Sequence, residues 1–420
     1  MKVLGLITEY NPFHNGHLYH LKKSKEITGC DYSISIMSGN FVQRGEPALV
    51  DKWTRAKMAI DSGIDLVIEL PTIYSSQSAE FFAYGSIKIL DGLGIVDCLC
   101  FGSEVGNLNE LDIISNILVD ETEEFKYFLK KYLSTGCTYP KARSLAVSDY
   151  LKSKNINSNN INKIISSPNN ILAIEYLKAL KKINSNIKPY TIKRIKAEYH
   201  DINMTGKISS ATAIRNEIFR SSNGIENIKT AVPNATYSHL KKFLNKYGSF
   251  NNIENYIQII QYHIARFNKE SLIDLFDIEN GLENRILNCI KENITVKNIL
   301  DCIKTKRYTY TRLQRLLMQM IIGLDKKTLS KLYLQDNLYI RVLGFNQKGK
   351  FLLNKARKKA KFPIITKFAN YKKINDDNLN KIIEIDKRAT DIYFLGLPNY
   401  NGKKFDLDYL ISPYITKSSI

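Results

Sequence analysis

What most limits the folding options of this chain is the alternation of short apolar runs with amphipathic stretches over residues 2–105. Lys2–Thr8 is an apolar run that ends in a polar loop, and His17–Glu26 follows with helical spacing, Leu18 and Leu21 on one face. Asp31–Met37 (DYSISIM) reads as the second strand, followed by the loop Ser38–Ala48 and a helix over Lys52–Ser62. Asp65–Leu70 (DLVIEL) supplies a third strand, Ala79–Leu90 a third helix and Val96–Phe101 a fourth strand. This order predicts an α/β fold, a Rossmann-like parallel sheet with helices on both faces. A ligand then belongs outside the carboxyl ends of the strands.

From about residue 107 to 185 the pattern turns helical, with an Asn/Ser-rich stretch at Lys154–Asn162 expected to be an exposed loop. Lys188–Ile195 reads as a returning strand, and Ile208–Arg220 opens on hydroxyl residues and becomes helical, as an N-cap does. After Ser221 the chain is mostly helical, basic and aromatic. The expected division is a catalytic domain over 1–225, with a helical insertion at 107–185, and a mainly helical C-terminal region over 226–420.

Charge points that second region towards a polyanion. Lys plus Arg number 61 against 41 acidic residues, a formal net charge of +20. Neutralising phosphates releases condensed counterions, so the surplus favours a nucleic-acid partner; a Lys-, Asn- and Ile-rich proteome would account for part of it. The six cysteines (Cys30, Cys98, Cys100, Cys137, Cys289, Cys302) show no CxxC pair, which fits neither a zinc site nor the dense framework of a small secreted domain. Cys98 and Cys100 alternate with apolar residues and read as buried strand positions. The opening MKVLGLITEYNPFH is not that of a signal peptide, and no apolar run approaches the roughly 20 residues that span a bilayer. The expected location is the cytoplasm, with no membrane partner.

The sharpest chemical signal is Thr8–His17 (TEYNPFHNGH), directly after the first strand. His14 and His17 stand three apart at a helix start and so face one side. Gly16 leaves room for a nucleotide against the backbone, and the helix N-terminus offers N–H groups and partial positive charge to a phosphate. Two imidazoles there can donate hydrogen bonds to a pentavalent phosphorus as negative charge develops, without a covalent intermediate. They are the expected catalytic pair. The competing readings are surface histidines or a metal pair; only His20 and distant His200 could extend the latter, and no metal site is assigned. Far along the chain, Ser209–Arg215 (SSATAIR) offers hydroxyls and N–H groups at a helix start, with Arg215 one turn in to meet the β and γ phosphates. Alone it would be a simple N-cap; paired with HxGH it brackets a nucleotide from the other side.

Together these segments resemble the tRNA(Met) cytidine acetate ligase family, a branch of the HxGH nucleotidyltransferase superfamily. The resemblance spans essentially the whole chain, through Gly5–Leu18 (GLITEYNPFHNGHL), Ser38–Ala48 (SGNFVQRGEPA), Phe101–Glu104 (FGSE), Ser167–Leu180 (SPNNILAIEYLKAL), Arg194–Asp201 (RIKAEYHD) and Ile208–Arg215. It continues through Lys306–Gly323 (KRYTYTRLQRLLMQMIIG) and Tyr339–Phe345 (YIRVLGF). The chain departs from the family pattern at Lys196 and Glu198, where glycines are usual.

The resemblance implies two steps. Acetate attacks the α-phosphate of ATP, giving acetyl-adenylate and pyrophosphate; the exocyclic amine of the wobble cytidine in elongator methionine tRNA then takes the acetyl group, forming N4-acetylcytidine. It implies an ATP site made by Ile7, Thr8, Glu9, Tyr10, Asn11, Pro12, Phe13, His14, Asn15, Gly16, His17, Leu18, Tyr19 and His20 with Gly102, Asn169 and Arg194, joined by Ser210 of the hydroxyl-rich turn. Mg2+ is expected with ATP, through few protein ligands.

Gly102 is expected where a side chain would collide with adenine or ribose. Asn169 either touches nucleotide or caps a helix over Ile171–Lys182. Glu9 and Glu104 are candidate Mg2+ or ribose contacts. Arg44 and Lys52 either hold the acid carboxylate or pyrophosphate, or are solvated surface charges. His200 beside Asp201 is not assigned as a general base, because adjacent residues seldom orient one another. For tRNA, Lys306, Arg307 and Arg312 in the segment Lys304–Arg312, and Lys358 in Lys355–Lys361, are expected phosphate contacts, with tyrosines stacking on unpaired bases. The second cluster reads equally as a solvated helix face. Leu313, Leu316, Leu317 and Met320 recur at helical spacing and so are core, with basic residues, Arg315 among them, on the opposite face. The alternative function is adenylyl transfer to a phosphorylated small molecule, against which the large basic second half argues.

Overall fold

The computed structural model describes the chain apart from residues 157–160, 195–203, 205, 222, 267–271, 276–277, 280, 335–336, 400–401, 403–404 and 417–420. In chain order its strands are β1 (Val3–Thr8), β2 (Tyr32–Ser38), β3 (Phe41–Val42), β4 (Glu46–Pro47), β5 (Leu66–Leu70), β6 (Cys98–Ser103), β7 (Lys188–Lys193), β8 (Ile340–Phe345), β9 (Ile364–Ile365) and β10 (Tyr414–Ile415). The main sheet runs β10-β8-β5-β2-β1-β6-β7 with β9 on β8, while β3 and β4 form a separate ribbon inside the predicted loop Ser38–Ala48. From β5 to β7 every pairing is parallel. Val3, Leu4 and Leu6, Ile34 and Ile36, and Leu66, Val67 and Ile68 are all completely buried. Such uninterrupted burial is what a parallel sheet covered on both faces demands. The helices Asn15–Thr28, Lys52–Asp61, Ala79–Gly92 and Pro168–Ile183 lie between the strands in the predicted alternation.

The predicted division at 225/226 is not a division of the sheet. β8, in the region read as mainly helical, adds antiparallel to β5, with Leu66 facing Phe345 and Glu69 facing Arg341. A short apolar run such as YIRVLGF does not by itself distinguish strand from buried helix; the free edge of β5 decides it. A buried ion cluster closes this junction. Lys52 Nζ lies 2.7 Å from Glu69 Oε1 and 2.8 Å from Asp408 Oδ1, and Arg341 lies 2.7 Å from Asp408 and 3.3 Å from Glu69. Lys52 is completely buried, so it is neither a cavity cation nor a solvated charge. Desolvation is repaid only by close, multiple partners; β5 supplies Glu69, and the folded C-terminal segment adds Asp408 and Arg341.

The helix Tyr310–Ile322 buries Leu313, Leu316, Leu317 and Met320 as predicted, but also Gln314, Arg315, Met318 and Gln319. Its central turns therefore have no basic solvent face. Arg315 is covered by the turn between β3 and β4, where a Cβ on Gly45 (φ +76°) would stand 2.2 Å from the Arg315 backbone nitrogen. Cys289 and Cys302 are joined by a disulfide that no local spacing signalled, whereas Cys98 and Cys100 are buried in β6 as expected. Among the described residues, no helix is long and apolar enough to cross a membrane.

Candidate active site

A cavity of about 280 Å³ opens where the parallel sheet predicts, outside the carboxyl ends of β1, β6 and β7. Of the predicted nucleotide residues, Ile7, Thr8, Glu9, Tyr10, Asn11, His14, Gly16, His17, Tyr19, His20, Gly102, Asn169, Arg194 and Ser210 line it. Pro12, Phe13, Asn15 and Leu18 do not. Pro12 and Phe13 are buried, Leu18 packs on the core, and Asn15 donates its side-chain amide to the carbonyls of Lys207 and Thr230, both at 2.9 Å.

The two histidines build the helix start themselves. His14 is the N-cap of Asn15–Thr28 and forms a capping box with His17. The Gly16 N–H donates to His14 Nδ1 at 3.0 Å, and the His14 N–H donates to His17 Nδ1 at 3.3 Å. Each Nδ1 is thereby an acceptor, so each neutral ring carries its proton on Nε2. The rings stack with centroids 3.7 Å apart. Burial, helped by Arg194 and Arg215, holds the His14 pKa down to about 3; burial, His14 and Arg194 hold His17 well below its ordinary value. At neutral pH both are uncharged hydrogen-bond donors. Gly16 lines the cavity and also makes room for the His14 ring: a Cβ there would stand 2.8 Å from His14 Cε1. One turn on, burial and Arg194 lower the His20 pKa to about 4, and its buried Nε2 has no hydrogen-bond partner among the described residues.

On the β6–β7 side, Gly102 makes room for Arg194, whose Cγ would lie 3.2 Å from a Cβ there. Glu104 accepts from the Asn169 N–H (3.1 Å) and Nδ2 (2.7 Å) and from the Asn170 N–H (2.8 Å). This carboxylate therefore closes the N-terminus of Pro168–Ile183, the part considered for Asn169, and both its oxygens are engaged by protein donors rather than turned to ribose or Mg2+. Asn170 returns the contact by accepting from the Glu104 N–H at 2.8 Å.

On the β2 side, Glu9 Oε1 accepts from the Gln43 N–H (2.7 Å) and the Ser38 hydroxyl (3.3 Å), and burial raises its pKa. Arg55, which no sequence signal singled out, is completely buried and donates to the carbonyls of Glu9 (2.6 Å), Val50 (3.2 Å) and Gly39. It pins the end of β1 to the segment that follows β2. Arg215 donates to the Asn11 carbonyl at 2.9 Å and pairs with Glu46 at 3.3 Å. Ser210 is both N-cap of Ala211–Arg220, accepting from the Ala213 N–H at 3.0 Å, and part of the cavity wall. Val42, Phe82, Phe101, Leu172, Tyr176 and Ile192 are among the apolar lining residues; in sequence they look like any other core positions. Lys196, Glu198, His200 and Asp201 lie outside the described residues.

Of the predicted tRNA contacts, Lys306, Arg307 and Lys358 are exposed, while Arg312 pairs with Glu279 at 3.1 Å. Tyr308 is buried and donates its hydroxyl to Glu279 at 3.2 Å, so it does not present a ring to a base. The Lys359 carbonyl packs on Gly94, in the turn that enters β6 at its amino end, away from the cavity. Among the described residues, no group of three or more His, Cys, Asp or Glu is placed to hold a metal ion.

The family model described as HIGH Nucleotidyl Transferase matches residues 1–408. The chain is 43% identical over 423 residues to a tRNA(Met) cytidine acetate ligase of Alkaliphilus metalliredigens, covering 99% of each. It is 47% identical over 399 residues to one of a Thermoanaerobacter species, covering 95% of this chain and 96% of the other. Its structure is similar to that of apo TmcAL from Thermotoga maritima, with a TM-score of 0.95 at 36% identity and 99% of each chain covered. Against TmcAL from the same organism bound with α-thio ATP, again over 99% of each chain, the TM-score is 0.93 at 35% identity. By sequence and fold alike, this chain belongs to the HIGH nucleotidyl transferase family and, within it, to the tRNA(Met) cytidine acetate ligases.

Proposed function

We propose that the chain activates acetate with ATP and transfers the acetyl group to the wobble cytidine of elongator methionine tRNA, in the cytoplasm. The observation that carries the chemistry is the histidine capping box: two neutral rings, each with its proton on Nε2, at the N-terminus of a helix on the cavity wall. A carboxylate oxygen of acetate attacks the α-phosphorus, the bond to the bridging oxygen breaks and pyrophosphate leaves. Negative charge grows on the α-phosphoryl oxygens, where His14 and His17 donate hydrogen bonds and the helix N-terminus adds partial positive charge. Neutral donors suit this task, because neither ring has to surrender a proton. The cytidine N4 amine then attacks the acetyl carbonyl, AMP departs and the amine proton leaves to solvent, giving N4-acetylcytidine. The nucleotide is held by the residues that line the cavity, with Asn169 and Arg194 across from the histidines, and magnesium enters as part of MgATP, held chiefly by phosphate oxygens and water. The exposed Lys306, Arg307 and Lys358, with Arg312, are the proposed phosphate contacts of the tRNA, in the region 226–420 that follows the catalytic domain 1–225. Relatives named tRNA(Met) cytidine acetate ligases and the α-thio ATP complex of the Thermotoga protein support this assignment.

The test is to incubate the protein with ATP, radiolabelled acetate and total tRNA. Acid-stable label in methionine tRNA is the expected result. Turnover of ATP without acetate, with AMP retained in a small-molecule product, overturns the proposal.

A further inference from the structure

The sheet order divides the cavity. At the carboxyl ends of the strands, β1 stands between β2 on one side and β6, then β7, on the other. Gly102, Asn169 and Arg194 all come from the β6–β7 side and Ser210 from the helix Ala211–Arg220, so no residue of the ribbon on the β2 side has yet been given to the nucleotide. That side is built by the β3–β4 ribbon, which contributes Val42, Gln43, Arg44 and Glu46 to the lining. Gln43 fixes the ribbon twice: its N–H holds Glu9 at 2.7 Å, and its side-chain amide donates to the Gln77 carbonyl at 3.1 Å. Gln77 stands just ahead of the helix whose first turn carries Phe82, and Phe82 lines the same cavity as Val42.

Charge selects the occupant. Arg44 sits among Glu9, Glu46 and Arg215, and Glu46 already pairs with Arg215 at 3.3 Å. With Arg55 also acting on Glu9, three guanidinium groups stand against two carboxylates, a surplus of one positive charge that suits a monoanion better than pyrophosphate. Lys52, the other cation of this segment, is buried elsewhere. A guanidinium matches a carboxylate with two parallel N–H donors, and Val42 and Phe82 supply apolar wall to the same cavity.

We propose that Arg44 binds the carboxylate of the acid substrate, a small monocarboxylate whose alkyl end rests against Val42 and Phe82. This rests on the acetate-activating function proposed above.

The experiment measures initial rates of label transfer from acetate to tRNA in the full-length protein, with Arg44→Met, Arg44→Lys and Val42→Ala. For Arg44→Met the KM for acetate should rise at least about tenfold while the KM for ATP and the affinity for a nonhydrolysable ATP analogue stay within about twofold. Arg44→Lys should fall between, and is scored in place of Arg44→Met if that variant loses analogue binding. Val42→Ala should raise the use of propionate relative to acetate. An unchanged KM for acetate in an active Arg44 variant overturns this inference alone. So does a rise in the KM for ATP, or weakened inhibition by pyrophosphate, equal to the change for acetate, which would place Arg44 on the phosphates. An unchanged propionate-to-acetate ratio overturns the alkyl placement, and a wild-type protein that transfers no acetate overturns the function and this inference together.

Discussion

Gly16→Ala separates the catalytic geometry from the stability of the helix that carries it. A methyl group at residue 16 would lie 2.8 Å from His14 Cε1 and 3.0 Å from His14 Nδ1. Carbon atoms in contact prefer about 3.5–4.0 Å, so the ring must move by roughly 1 Å. That movement breaks the 3.0 Å bond from the Gly16 N–H to His14 Nδ1 and disturbs the stack on His17 at 3.7 Å. Loss of the cap costs about 1 kcal/mol, and replacing glycine by alanine within a helix returns up to about 1 kcal/mol. The melting temperature should therefore change little. The rate should not be so forgiving: a misplacement of about 1 Å costs on the order of 100-fold, about 2.7 kcal/mol of barrier. The assay is the initial rate of acetate transfer to tRNA at saturating ATP, alongside thermal unfolding. A folded variant whose rate stays within about threefold of the parent refutes the claim that the His14 position governs the reaction.

Three further outcomes follow from named contacts. His14 and His20 have pKa values lowered to about 3 and about 4, so below about pH 6.5 the unfolded chain binds protons that the folded one refuses. Stability of the ligand-free protein should fall as pH drops from about 6.5 towards 4, by up to about 1.4 kcal/mol per pH unit for each ring; a melting temperature flat between about pH 7 and 5 contradicts the neutral histidines. Lys52→Met leaves Glu69, Asp408 and Arg341 buried with unequal charge. It should cost about 3–5 kcal/mol in denaturant unfolding, and a loss below about 1 kcal/mol would show that the cluster does not hold the C-terminal segment. Lys306→Ala and Arg307→Ala, both on exposed positions, should weaken tRNA binding and lower the slope of log K against log salt by about one each; an unchanged slope removes them from the RNA interface.

What the sequence determined by itself was everything that depends on neighbours along the chain. The periodicity of residues 2–105 yields the parallel strands in order, because burial on both faces writes an apolar run into each of them. His14, Gly16 and His17 are legible for the same reason: a capping box closes within four residues. Ser210 at the head of Ala211–Arg220 is legible as a cap on the same grounds. Tertiary structure decided the matters that turn on a distant partner. Asn169 could not be told from a cap until Glu104, 65 residues away, took that role. Lys52 looked like a free cation until β8 and Asp408 arrived to bury it. Arg55, Phe82 and Tyr176 carry no local pattern that distinguishes a cavity wall from ordinary core. Local hydrogen bonds and helix periodicity act over one or two turns, so their residue types are written side by side. Burial and ion pairing are satisfied by whichever residues the chain brings together in space, and adjacent letters do not encode that meeting.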